Sequence, residues 1–366
     1  MHSTGDRVSQ VVMQPTTLCN IDCAYCYLPD RHRRVSMAPA VASAVAASIP
    51  SGSHPLPISW HAGEPLATGL DAFIALVEPF GEHQRRGAVT HVVQTNATLI
   101  DDKWIDFFEE NSFVVGVSID GDADANRLRT TRSRRSSYFR AMRGIERLRA
   151  RGYPFHAIAV VSGSSFGRAD ALYNFFCELG CVSLGLNIEE QIGARGAVNH
   201  SSSIVRKFWF DMLAAWEKDR RLEIREIHHL LAWMRAVADQ NPPLVNQLDL
   251  LPSVGANGDV VLLSPEFVGI PPAPNASFVV GNVLQEGLNE LLLRASSVSY
   301  VVEFAKGVAR CEAECSFFSA CGGRSAANKY FETGSTNATV TMYCMNSTQL
   351  PALAILDAFA ASRRSE

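Results

Sequence analysis

Three thiols lie within eight residues, in Cys19-Asn-Ile-Asp-Cys23-Ala-Tyr-Cys26, spaced C-x3-C-x2-C. Iron–sulfur clusters normally take four cysteines. Three thiolates in one loop, with no local fourth, would hold three irons of a cubane and leave the last iron open to another ligand. The competing reading is a zinc loop. Zinc sites use C-x2–4-C pairs closed by a second pair or by His, and no such partner follows nearby. A second group, Cys311, Cys315, Cys321 and Cys344, has enough thiols to saturate one more cubane, with zinc again the competing occupant. Gly322-Gly323 beside it lets backbone approach closely. Cys177 and Cys181 stand four apart around an expected helix end and read as core packing, where free Cys behaves as a small hydrophobe.

These groups need a scaffold. Over the first 190 residues, β-rich runs at 11–14, 57–60, 91–94, 114–119, 155–161 and 182–188 alternate with helix-like stretches near 38–49, 70–86, 101–110, 138–151 and 168–180. Alternation of this kind predicts a parallel sheet with right-handed crossovers. Five of the six strands end in a polar motif: the Cys19–Cys26 loop, Gly63-Glu64-Pro65, Thr95-Asn96, Asp120-Gly121 and Glu189-Glu190. In α/β barrels and open α/β sheets, chemistry gathers at the carboxyl ends of strands. From about 201 to 239 the pattern is helical, with Phe208, Trp209, Met212 and Trp216 reading as a buried face. Asn241-Pro242-Pro243 breaks it. Ser253 to Leu263 reads as a hairpin, Gly281 to Leu293 as a lead into a helix, and 351–362 as a closing helix. The expected divisions are 1–195, a helical bridge 196–243, and 244–366.

The chain has 366 residues, 47% hydrophobic, which suffices for a substantial core. A net charge of −4 gives no nucleic-acid footprint. No stretch reaches the ~20 apolar residues of a membrane span, and residues 1–7 lack a signal-peptide apolar region. The expectation is a cytoplasmic protein with no nucleic-acid or membrane partner.

The first cysteine group, with Tyr25 before its last member, resembles the signature of the radical S-adenosylmethionine (SAM) superfamily, in which SAM chelates the open iron. That resemblance implies an α/β fold, a partial (β/α)6 TIM-type barrel. Trp60-His-Ala-Gly-Glu-Pro65 resembles the family's Gly-Gly-Glu-Pro element, implying that Gly63 and Glu64 hold the methionine amino group. Ala62 departs from the pattern by replacing its first Gly. Gln94-Thr-Asn96 and Ser118-Ile-Asp120 resemble the third- and fourth-strand elements, so Asn96 and Ser118 become candidates for the SAM carboxylate and ribose hydroxyls, unless they cap turns. Asp122 to Arg135 carries five arginines and reads mostly as a solvated loop. Arg129 is the candidate that reaches the SAM carboxylate. The last cysteine group resembles an abbreviated SPASM-type auxiliary-cluster domain. Complete versions carry a further Cys pair near a hairpin; here Gly258 to Leu263 holds none. The implied cofactors are SAM and two [4Fe-4S] clusters, one SAM-binding and one auxiliary.

Cys26-Tyr-Leu-Pro-Asp30, Trp60 to Leu66, Leu186 to Glu190, Leu263-Ser-Pro-Glu266 and Cys321 to Lys329 resemble the radical SAM/SPASM peptide maturases that form cyclophanes. The implied activity joins an aromatic ring carbon to a Cβ of a ribosomally made precursor peptide. A 5′-deoxyadenosyl radical removes the Cβ hydrogen, an auxiliary cluster accepts an electron, and a carboxylate accepts a proton. Asp120, Glu189 and Glu266 are the candidate bases. An external donor such as flavodoxin or ferredoxin is the implied reductant. With 18 residues before Cys19, no separate leader-binding domain is expected there. Peptide recognition would fall to the C-terminal part, the helical segment, a partner protein or an exposed strand edge. The alternatives are another peptide maturase of this type, forming a thioether, an epimer or a formylglycine, and a non-catalytic zinc-binding module.

Overall fold

The computed structural model describes residues 8–49, 54–190, 198, 200–241, 249–270 and 277–362. Six strands are laid down in order: β1 (Val11–Met13), β2 (Leu56–Trp60), β3 (Val89–Thr95), β4 (Val114–Ser118), β5 (Phe155–Val161) and β6 (Ser183–Ile188). They pair in sequence, all parallel. Helices Pro39–Ala46, Leu70–Val77, Asp102–Glu110, Tyr138–Ala150 and Ala169–Leu179 return the chain between them. This is the expected barrel-type order. The expected 70–86 helix is interrupted by a 3-10 turn at Glu78–Phe80, where Pro79 removes a donor.

The strands do not read as the unbroken apolar runs of a sheet buried on both faces. In β5, Phe155, Ala157, Ala159 and Val161 are buried against the helices, while His156, Ile158 and Val160 are half-buried on the other face. In β2, Leu56, Ile58 and Trp60 alternate with half-buried Pro57 and Ser59. The inner face of the partial barrel is therefore accessible and carries polar groups. Ser59 donates to Gln10 at 3.0 Å, Gln94 donates to Ser118 at 2.8 Å, and His156 pairs with Ser183 at 2.8 Å. The outer face packs tightly. Trp60 meets Phe73 and Phe80 edge-on and donates to His91 at 3.2 Å. Burial holds His91 neutral, its pKa pulled down to about 4.

After β6 the helices Ser202–Glu217 and Arg225–Ala238 flank β7 (Glu223–Ile224), which extends the parallel sheet beside β6. Phe208, Trp209, Met212 and Trp216 are buried as expected. Pro242 and Pro243 lie outside the described residues. The hairpin of β8 (Ser253–Val254) and β9 (Asp259–Val261) turns at Asn257-Gly258, where Gly258 adopts φ +90. It joins the other edge: β8 runs parallel to β1, Val12 opposite Ser253 and Met13 opposite Val254. β10 (Gly281–Asn282) closes a ten-stranded sheet of order β10-β9-β8-β1-β2-β3-β4-β5-β6-β7. Cys181 is buried, as expected, and Cys177 packs half-buried against the core.

Candidate active site

The loop after β1 carries Cys19, Cys23 and Cys26, and backbone hydrogen bonds fix it on both sides. Cys19 N–H donates to Arg31 O at 2.9 Å and Cys26 N–H to Cys23 O at 3.1 Å. The arginine-rich segment is its second support. Asp22 N–H donates to Thr130 O at 2.6 Å, and Ala24 N–H to Leu128 O at 2.8 Å. Four of its five arginines are exposed, as expected of a solvated loop, while its backbone at Leu128 and Thr130 clamps the cysteine loop. From that segment Arg132 donates to Cys19 O at 3.3 Å, and within the cysteine loop and the turn after it Arg31 pairs with Asp22 at 2.7 Å.

Behind the loop sits a buried hub. Tyr25 Oη donates to Asp120 Oδ2 at 2.6 Å. Arg129 donates to Asp120 Oδ1 from Nε at 3.0 Å, its Nη2 stands 2.9 Å away, and Val160 N–H donates at 2.9 Å. The Arg129 guanidinium also lies 5.4 Å from the Tyr25 ring centroid. Asp120 is 1% exposed and its lone pairs are engaged. Asp120 thus holds Tyr25 and Arg129 together, and Arg129 is turned toward it.

Gly63 and Glu64 press against the same loop. Glu64 N–H donates to Leu18 O at 2.9 Å. A Cβ on Gly63, at φ +63, would stand 2.4 Å from Thr16 O and 2.8 Å from Leu18 O, so no side chain fits. Ala62 also has positive φ, +70, a conformation that Gly adopts without strain. The Glu64 carboxylate accepts from Thr95 Oγ1 at 2.6 Å, Asn96 N–H at 2.8 Å and Leu66 N–H at 3.2 Å. Burial lifts its pKa to about 7 against those hydrogen bonds. An ammonium placed beside it would restore the charged form. Asn96 donates to Asn20 Oδ1 at 2.9 Å, and Thr98 donates to Asn96 Oδ1 at 2.6 Å. Asn20, Thr98 and Gln94 were not singled out in the sequence, although each stands beside a residue that was. Ser118 lies on the inner face, accepting from Gln94.

Cys19 is pushed up to about 12 by burial and by the Glu64 charge, and Cys23 to about 11 by burial. Cys19 also feels Cys23 and Cys26, so the trio shares one environment. The second group converges as well. Cys311, Cys315, Cys321 and Cys344 line one cavity with Gly323 and Arg324. Cys311 lies near the end of helix Ser299–Glu314, and Cys321 ends Phe318–Cys321. Glu332 accepts from Tyr343 N–H at 3.1 Å and so holds the turn that carries Cys344. A Cβ on Gly323 would press on Val308 and on Cys311 Cβ at 3.5 Å. Among the described residues no group of three or more His, Cys, Asp or Glu side chains is gathered for a single metal ion. The four thiols line one cavity, and four thiolates are a donor set that an iron–sulfur cluster takes.

A second cleft of about 340 Å³ lies beside this cavity; Arg324 lines both. Gln10, Asp249, Ser264, Glu266 and Tyr343 line the cleft. Burial raises the Glu266 carboxyl, and Ser264 donates to it. Glu189 is half-buried at the end of β6, apart from these cleft residues. Its neighbour Glu190, passed over as a base candidate in the sequence, accepts from Asn328 at 2.8 Å. Burial and the Glu332 charge push it up to about 8.

A family model, the radical SAM superfamily, matches residues 13–176. An uncharacterized protein of Synechocystis sp. is 30% identical over 352 residues, 91% of this chain and 87% of that one. The chain belongs to the radical SAM superfamily. Membership implies SAM and a [4Fe-4S] cluster, for which the Cys19, Cys23 and Cys26 loop supplies the donor set. The serine-type anaerobic sulfatase-maturating enzyme of Bacteroides thetaiotaomicron is 30% identical over 181 residues, 47% of this chain and 44% of that enzyme, so the match spans under half of it. In fold, the chain is similar to anSMEcpe with bound AdoMet and Cp18Cys peptide, with TM-score 0.77, 20% identity, and coverage of 98% of this chain and 99% of that one. It is similar also to Streptococcus suis SuiB bound to precursor peptide SuiA, with TM-score 0.67, 15% identity, and coverage of 92% and 76%. The fold of these two structures is therefore shared over nearly the whole chain, with the radical SAM family model covering residues 13–176.

Proposed function

We propose that this radical SAM protein modifies a ribosomally made peptide by an oxidative crosslink between an aromatic ring carbon and a nearby Cβ. The observation that carries the reading is the adjacency of the four-thiol cavity to a cleft lined by the half-buried Glu266 carboxylate, with Arg324 on both walls. Such a bond removes two hydrogens from the peptide: one as an atom, one as a proton, with one electron leaving besides. When loaded, the SAM-bound cluster would supply the hydrogen-abstracting radical and the second cluster a sink for the electron.

The chain's own residues divide the remaining work. Cys19, Cys23 and Cys26 would hold the first cluster, with Tyr25, Asp120 and Arg129 bracing their loop. Glu64, Gly63, Asn96 and Ser118 would receive SAM. Cys311, Cys315, Cys321 and Cys344 would hold the second cluster. Glu266 lines the cleft and is the base this geometry favours, with Glu190 and Glu189 next; burial raises the Glu266 carboxyl, the direction that favours proton uptake. The peptide likenesses of the sulfatase-maturating enzyme and of SuiB support a peptide substrate, and the first favours a second reading, oxidation of a side chain to formylglycine.

Incubation of reconstituted enzyme with SAM, reductant and the small peptide encoded beside its gene tests this. The expected product is two hydrogens lighter, inert to hydrazide probes, with deuterium moved from Cβ into 5′-deoxyadenosine. A hydrazide-reactive product replaces the crosslink with formylglycine. Unchanged mass with exchanged Cα hydrogen replaces it with epimerisation.

A further inference from the structure

Lys329 is 1% exposed, a burial that lysine adopts only with a partner. Its Nζ lies 3.8 Å from Cys311 Sγ and 5.1 Å from the Phe304 ring centroid. Among the described residues no carboxylate lies within ion-pair distance of it. The groups that hold its charge are Cys311, Cys321 and Cys344, against a burial that opposes it. An ammonium taken out of water with no carboxylate beside it is costly unless another anion faces it. Four thiolates around a cubane form such an anion, and reduction adds one more negative charge to it.

We infer that Lys329 is the fixed counter-charge of the auxiliary site, stabilising the reduced state and so raising the potential at which that site accepts an electron. Net charge and hydrogen bonds to the sulfurs are the means by which a protein sets such a potential. The placement serves an electron acceptor next to the substrate cleft. This inference rests on the reading that the four thiols hold a cluster.

The test is an EPR-monitored redox titration of the reconstituted full-length chain, with Cys19, Cys23 and Cys26 replaced by Ala so that the auxiliary signal stands alone. Iron and sulfide are counted on every sample. Lys329→Met is expected to keep the cluster and lower its reduced fraction at a fixed potential about tenfold, which is about 59 mV for a one-electron couple. Lys329→Arg is expected to stay close to the parent. Loss of the cluster in Lys329→Met alone, with Lys329→Arg retaining it, also supports the counter-charge role. An unchanged potential in Lys329→Met, or loss of the cluster from both variants, overturns it. A parent chain with no second cluster instead removes the reading beneath it.

Discussion

Glu64 sits at 1% exposure with its carboxyl lifted to about 7 by burial, against an ordinary 4.5. Between those values the folded chain binds more protons than the unfolded one, so stability falls as pH rises. Glu190, pushed up to about 8, adds a loss of the same sign over a window that reaches higher. SAM-free, cluster-free protein should therefore melt at progressively lower temperature from about pH 6.5 to pH 8, above the range in which buried His91, held near 4, contributes with the opposite sign. Glu64→Gln should flatten the lower part of that slope, by about 3 kcal/mol at most. The same variant should weaken SAM binding at least tenfold in equilibrium dialysis while iron at the first site is retained, since hydrogen bonds to charged groups contribute about 1.5–3 kcal/mol. Gly63 and Ala62 give a paired prediction. Gly63→Ala drives a Cβ into Thr16 O and should cost about 2 kcal/mol or more in chemical denaturation. Ala62→Gly relieves a positive φ and should be neutral to stabilising by about 1 kcal/mol. The need for Gly at both positions was legible in the motif. The crowding at Gly63 was not, because it comes from Thr16 and Leu18 on another strand's loop.

At the scale of elements, the cysteine loop and the 122–135 segment behave as one unit. Backbone pairing at Asp22–Thr130 and Ala24–Leu128 joins them, and the Tyr25–Asp120–Arg129 hub lies behind. Removing the guanidinium leaves the Asp120 carboxylate buried and uncompensated. Arg129→Ala should cost about 3–5 kcal/mol, and its reconstituted iron should fall toward that of the second site alone. Asp120→Asn should do much the same, with no selective loss of a deprotonation step, because the Asp120 carboxylate is taken up by Tyr25, Arg129 and Val160. Five arginines among few apolar residues look like a solvated loop, since composition reports side chains and this segment binds partly through its carbonyls. The strand ends show the opposite case. Each polar motif there followed a β-rich run, so its place at a strand's carboxyl end could be read directly. The distances that separate a buried Asp120 from a cleft-lining Glu266 could not, because they depend on packing between segments far apart in sequence.

Across the whole molecule, one sheet runs from the barrel through β8 to β10, and β1 stands inside it with neighbours on both edges. Val12 and Gln14 donate to Pro252 O and Val254 O, each at 2.9 Å. A chain cut after Asn241 would bare that edge of β1, whose three residues are too few to hold a loop alone. Such a chain should fail to retain the first cluster, and the full chain should unfold in calorimetry as one transition through both halves. Six alternating strands and helices made the parallel sheet legible from spacing, and the family resemblance implied its partial-barrel form. The docking of β8 was not legible, because two residues carry no period. That docking also orders the birth of the protein. The thiols at 19–26 leave the ribosome early, yet the strand that launches them gains its second neighbour only after the hairpin at 253–261 has emerged. Iron and sulfide delivery to the first site should therefore follow the emergence of that hairpin, and until then the nascent loop is open to oxygen and to the wrong metal.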